Sequence, residues 1–247
     1  MKFIFILLFS FSLSTCFAQP QSIDEKTNSS SKDIDYKAIA EVPKEDLKQI
    51  IDGVLYRELA LKSFNESDYQ KALTYLDVSY NLLKKYKPNR FLSKVHFLYA
   101  RIYSNQGNSK KAISELKKSL KYNNMLFEVQ TTLSYEYLQI SKNKKALKAA
   151  RKALEINPKS AYAYNNAGLA LIRLKKHEEG KKMIMSSLYL KENNPYTYKN
   201  LFYYYFATNN LEKACESLQK AKSLGYKEFG NESDQNEVEE LIKKHCK

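Results

Sequence analysis

The chain has 247 residues, 43% hydrophobic and 28% charged, with Lys+Arg 41 against Asp+Glu 27 for a net charge of +14. This balance suits a soluble helical protein better than one with several membrane spans. With only 6 glycines and 5 prolines, tight turns are few, and no glycine-rich phosphate loop of the P-loop or dinucleotide kind is present.

Met1-Lys2 precedes an apolar run, Phe3 to Leu13, that ends in Ser14-Thr15-Cys16-Phe17-Ala18. A basic start, a short apolar core and a small-residue end are the parts of a secretory signal. The run is too short for a bilayer span of about 20 residues. We expect residues 1–18 to be a signal peptide cleaved after Ala18, and the mature chain to be periplasmic or secreted. The alternative is an outer-membrane lipoprotein, lipidated at Cys16. Leu13-Ser14-Thr15-Cys16 resembles a lipobox, although Thr15 stands where Gly, Ala or Ser is usual. Residues 19–41 are polar, centred on Ser29-Ser30-Ser31, and have too little to bury to repay their ordering entropy, so a flexible linker is expected.

A period follows. Ala112, Ala146, Gly180 and Ala214 are 34 residues apart, and Ala72 precedes them by 40, which implies a six-residue insertion near Tyr86–Arg90. In the same frame, small or medium residues recur at Ala60, Ala100, Ser134, Gly168 and Phe202, and again at Ser79, Ser119, Ala153, Ser187 and Ala221. Large side chains hold Tyr56, His96, Gln130, Tyr164 and Tyr198, of which His96 and Gln130 depart from the aromatic pattern. Residues 127–160, ending Ala153-Leu154-Glu155-Ile156-Asn157-Pro158, fit this frame best.

The pattern resembles the tetratricopeptide repeat (TPR). The resemblance implies an all-α, right-handed α-solenoid of antiparallel helix pairs, each helix about 14 residues and roughly 21 Å long. Five repeats are expected at about 53–92, 93–126, 127–160, 161–194 and 195–228, inside a domain spanning 42–228. Turns are expected at Ser67-Asp68, Gly107-Asn108, Ser141-Lys142, Lys175-Lys176 and Asn209-Asn210. Gly180 in an Ala slot and Phe202 in a small slot are expected to weaken single packing contacts. One long helix, Lys44 to Phe64 behind Pro43, forms an N-terminal extension, and residues 229–247 contain a capping helix, Asp234 to His245, with Val238, Leu241 and Ile242 inward.

Cys215 falls on the second helix of the last repeat, and Cys246 ends the cap expected to lie over it. Their pairing resembles that of secreted bacterial repeat proteins with a terminal Cys, and an exported chain favours a disulfide between them. The alternative is two free thiols. His96, His177 and His245 share no metal-ligand spacing with other residues, and no nucleophile–base arrangement emerges. No metal, cofactor or enzymatic activity is expected.

In such repeats the first helices line a concave groove. The partner-binding candidates there are Arg57, Phe97, Arg101, Asn105, Tyr162, Asn166, Arg173, Lys199, Asn200 and Tyr203, with Thr131, Glu136, Gln139, Asn165, Leu169 and Tyr196 among their neighbours. Aromatic rings, amides and guanidinium groups supply contact area, hydrogen bonds to peptide backbone and carboxylate capture. The expected partner is a peptide or helix segment of an envelope protein, with some acidic character. The carboxylate clamp of chaperone-binding members is absent: Lys199 is in place, but Tyr203 stands where that clamp needs Asn. Between Asn108 and Lys152 there are eleven basic residues, most of them on the convex second helices, a patch that fits anionic lipid or cell-wall polymer. Nucleic acid is disfavoured, because no recognition motif interleaves that charge. The expected function is thus a non-enzymatic envelope scaffold. The alternatives are a lipid-anchored outer-membrane or pilus assembly accessory, and a basic surface binder.

Overall fold

A computed structural model of the chain describes residues 43–226 together with Lys244 and Cys246. The expected leader with Cys16, the linker 19–41 and, apart from Lys244, the capping helix lie outside the described residues.

Ten α-helices and no strand occur among the described residues. They are α1 (Lys44–Asn65), α2 (Tyr69–Leu83), α3 (Asn89–Asn105), α4 (Ser109–Tyr122), α5 (Phe127–Gln139), α6 (Asn143–Ile156), α7 (Ala161–Arg173), α8 (His177–Leu190), α9 (Pro195–Ala207) and α10 (Leu211–Ser223). Each odd-numbered helix pairs with the next to form a hairpin, and each hairpin packs on its neighbours in chain order. The fold is an all-α TPR-type solenoid. Its core is accordingly a succession of small apolar clusters, from one around Leu76, Leu92 and Ile102 to one around Phe202, Ala214 and Leu218. Stacked repeats behave in this way because each unit buries its face only against its neighbours.

The five hairpin turns fall where the period places them. The first residue of each has positive φ: Ser67, Gly107, Ser141, Lys175 and Asn209, at 63°, 72°, 54°, 63° and 58°. Gly107 takes this conformation without the strain a Cβ brings. At every turn the next N–H donates back to the preceding helix, from Asp68, Asn108, Lys142, Lys176 and Asn210 to the carbonyls of Ser63, Tyr103, Tyr137, Leu171 and Tyr205. These six-to-one bonds close each first helix as Schellman caps. Asp68, Asn108 and Asn210 then cap the following helix with their side chains.

The six-residue insertion is mostly helix. Compared with α4, the following linker and α5, it lengthens α2 by one residue, the linker by one and α3 by four. Pro88, just before α3, has extended ψ, as a residue with fixed φ does at a helix start.

Hairpin closeness depends on the paired small positions. Ala60 and Ala72 are fully buried, as are Ala100 and Ala112, and the Ser134 hydroxyl donates to the Ala146 carbonyl at 2.8 Å. At Gly180 the structure departs from expectation. A Cβ there would lie 2.9 Å from the Gly168 carbonyl oxygen and 2.8 Å from Ile172 Cγ1, so glycine permits a closer approach instead of weakening one. Phe202 likewise remains buried, 1% exposed, and packs with Ala214, Leu218 and Phe206. Cys215 of α10 is bonded to Cys246, with Cα atoms 5.4 Å apart, the pairing expected above.

Candidate binding groove

The first helices of neighbouring repeats are stitched together by side-chain donors that reach back 35 residues. Asn166 Nδ2 donates to the Thr131 carbonyl at 3.1 Å, Arg173 to the Leu138 carbonyl at 2.9 Å, and Asn200 Nδ2 to Asn165 Oδ1 at 2.9 Å. These bonds hold α5, α7 and α9 side by side. Over them opens a hollow of about 960 Å³.

Helix α5 contributes Phe127, Thr131, Thr132, Tyr135, Glu136 and Gln139, which fall on one face at three- and four-residue spacing. Tyr162, Asn165, Asn166 and Leu169 come from α7, and Tyr196, Lys199 and Asn200 from α9. Ser104, Asn105, Gly107 and Ser109 close one end at the α3–α4 turn, with Tyr69 beside them. Three rings stand out of this surface: Tyr135, Tyr162 and Tyr196 are 41%, 50% and 42% exposed.

Of the ten sequence candidates, Asn105, Tyr162, Asn166, Lys199 and Asn200 line the hollow. The other five lie elsewhere. Arg57 pairs with Glu58, Phe97 packs against an apolar cluster, and Arg101 sits over the Phe64 ring at 4.4 Å. Arg173 is engaged with Leu138, and Tyr203 packs among three apolar clusters. The guanidinium groups read as carboxylate-capturing thus have intramolecular partners, and the amides of Asn166 and Asn200 form the groove floor. The sequence reading missed Tyr135, Phe127 and Tyr69. The first two share the face of Thr131, so helical periodicity could have found them. Tyr69 belongs to a second helix, which the repeat frame assigns to the other side.

Two groups of the hollow have perturbed acidity. Burial pushes the Tyr135 hydroxyl up to about 12, with the Glu136 charge adding to it. Burial also raises the Glu136 carboxyl, against the opposing effect of the Ser104 and Ser109 hydroxyls. Ser104 donates to Glu136 Oε1, whereas Oε2 has no hydrogen-bond partner. Among the described residues no group of three or more His, Cys, Asp or Glu is placed to hold a metal ion, and no described helix is long and apolar enough to cross a membrane.

A family model for the Psidin N-terminal TPR repeats region matches residues 128–233, and a tetratricopeptide repeat model matches residues 93–124. The chain is a TPR protein. Solved TPR structures share the fold. PilF of Pseudomonas aeruginosa is 16% identical, with a TM-score of 0.59 over 73% of this chain and 79% of that one. MamA of Desulfovibrio magneticus is 20% identical, with a TM-score of 0.58 over 70% and 94%. YrrB, described as a TPR protein with an unusual peptide-binding site, is 19% identical, with a TM-score of 0.56 over 77% and 92%. No curated protein sequence matches. The TPR fold is in general a scaffold for protein–protein interaction and not a catalytic one.

Proposed function

We propose that this TPR protein is an exported, non-enzymatic scaffold that holds a peptide or helical segment of an envelope protein in its groove. The carrying observation is the hollow across four successive first helices, with three tyrosine rings standing out of a floor where the Asn166 and Asn200 amides donate to the neighbouring first helix. Rings on a fixed floor give large contact area at little entropic cost, as in the aromatic anchors of binding surfaces. YrrB, a TPR protein described as having an unusual peptide-binding site, supports peptide binding as a use of this fold. The Cys215–Cys246 disulfide supports export, since such bonds persist in oxidising compartments. The partner's chemistry is better matched to apolar and hydrogen-bonding side chains than to the acidic segment expected from sequence, because Arg57, Arg101 and Arg173 are engaged elsewhere.

A photo-crosslinking residue at Tyr162 or Tyr135 tests this reading in the native host, with Glu155 on α6 as the outer-face control. One envelope protein joined from both groove positions, and not from Glu155, is the expected result. Tyr135→Ala with Tyr162→Ala should then weaken its capture by about tenfold or more, with helicity retained. Crosslinks from Glu155 alone, or capture indifferent to the double substitution, would defeat the groove reading.

A further inference from the structure

The second helices present a surface that the groove does not use. On α4 the exposed basic residues are Lys110, Lys111, Lys117, Lys118 and Lys121, and on α6 they are Lys144, Lys145, Lys148, Arg151 and Lys152. Glu115 and Glu155 are the acids of these two helices, and Glu115 is already bonded to His96 and Lys118.

The next second helix, α8, adds apolar side chains. Tyr189 is 92% exposed, against 38–62% for the other exposed large hydrophobic side chains described. Met185, one turn before it, and Leu190 beside it are also exposed, and Lys182 stands a further turn back. These residues edge a shallow hollow of about 690 Å³ whose far wall is Pro158 and Tyr164. The two acids in the first turn of α8 have partners of their own: Glu178 accepts from the Tyr204 hydroxyl and Glu179 from Lys176.

We propose that this outer face docks on an anionic phospholipid bilayer, with α4 and α6 drawn to the headgroups and Tyr189, Met185 and Leu190 entering the interfacial layer. Lysines near a membrane surface attract anionic lipid individually. A tyrosine with apolar neighbours suits the headgroup boundary, where its ring is buried and its hydroxyl stays wet. Charge alone would fit a polyanionic polymer equally well. The exposed Met and Leu beside the Tyr favour lipid, whose interfacial layer buries aliphatic side chains as well as a ring. This surface is independent of the groove.

Vesicle co-sedimentation tests it with the disulfide-bonded mature protein. Phosphatidylcholine vesicles containing phosphatidylglycerol should bind it and pure phosphatidylcholine vesicles should not, with binding falling steeply as salt is raised. Tyr189→Ser, at a side chain that supports no packing, should weaken binding several-fold without changing its salt dependence. Lys148→Glu with Lys152→Glu should weaken it by about twentyfold or more and flatten the salt dependence. The proposal is overturned if neither vesicle binds, if Tyr189→Ser binds like the wild type, or if the protein sediments with purified cell-wall polymer but not with vesicles. None of these results touches the groove reading, whose crosslinks arise on the opposite helices.

Discussion

His96 fills an interior aromatic slot, stacked on Tyr122 with ring centroids 5.5 Å apart, and its Nδ1–H donates to Glu115 Oε2 at 2.7 Å. Burial alone would raise the Glu115 carboxyl, but the bonds from His96 and Lys118 outweigh it and hold it below the usual value. Glu136 has the opposite balance, and burial leaves it raised. The two acids therefore act on stability with opposite signs. A depressed carboxyl stabilises the fold above its unfolded value, near pH 4.3, and the contribution is lost as pH falls through the lower folded value. A raised carboxyl stabilises below the unfolded value and loses its contribution as pH climbs through the higher folded one. Urea titrations from about pH 3 to neutrality should show Glu115→Gln less stable than wild type near neutrality, by about 1.5–3 kcal/mol, with the gap closing in acid. Glu136→Gln should gain on wild type as pH rises. Parallel curves for either pair would mean that its carboxyl is not perturbed as described. The slot of His96 is legible in the sequence because it keeps the repeat register. Its partner is not, because Glu115 sits 19 residues away on another helix whose rotation no spacing rule fixes.

Helix α7 meets α8 through Gly168 and Gly180, each placed so that an added Cβ would come within 3.0 Å of the other's carbonyl oxygen. Alanine in a helix interior ordinarily gains about 1 kcal/mol over glycine. Here it must push the paired backbones apart, and overpacking costs about 1–3 kcal/mol. Gly180→Ala should therefore lower the unfolding free energy, by about 1 kcal/mol or more, in denaturant titration; a gain in stability would show that the hairpin opens freely. The turns and the helix order are legible because the period recurs over five units and the turn residues fall in register. The form of the insertion is not. Pro88 suits a helix start, but the repeat frame does not say how far ahead of the register α3 begins, and Asn89 to Leu92 form its first turn. The value of Gly180 is equally hidden, because a frame that allots Ala to its slot does not report the distance between two helices.

At the scale of the whole molecule, stability is shared between neighbours, so an end is the vulnerable region. The Cys215–Cys246 bond closes a segment of 31 residues at one end, which in the chain-entropy model is worth about 3–4 kcal/mol. Replacing both cysteines by serine should lower amide protection in α9 and α10 while leaving α5 and α6 nearly as slow to exchange as before. Uniform loss along the chain would contradict neighbour-by-neighbour stability. The groove was half legible at this scale: the repeat frame finds which helices line it, but not that Arg57, Arg101 and Arg173 turn to intramolecular partners. The back-reaching donors of Asn166, Arg173 and Asn200 have a consequence for length. Each joins a residue to one 35 positions before it, so the fourth repeat both gives such a bond and receives one. A duplicated copy of that repeat would bring its own fastening at either side. The array can therefore be extended by whole units with its groove floor unbroken, whereas adding a single residue within a unit would leave a donor facing the wrong carbonyl.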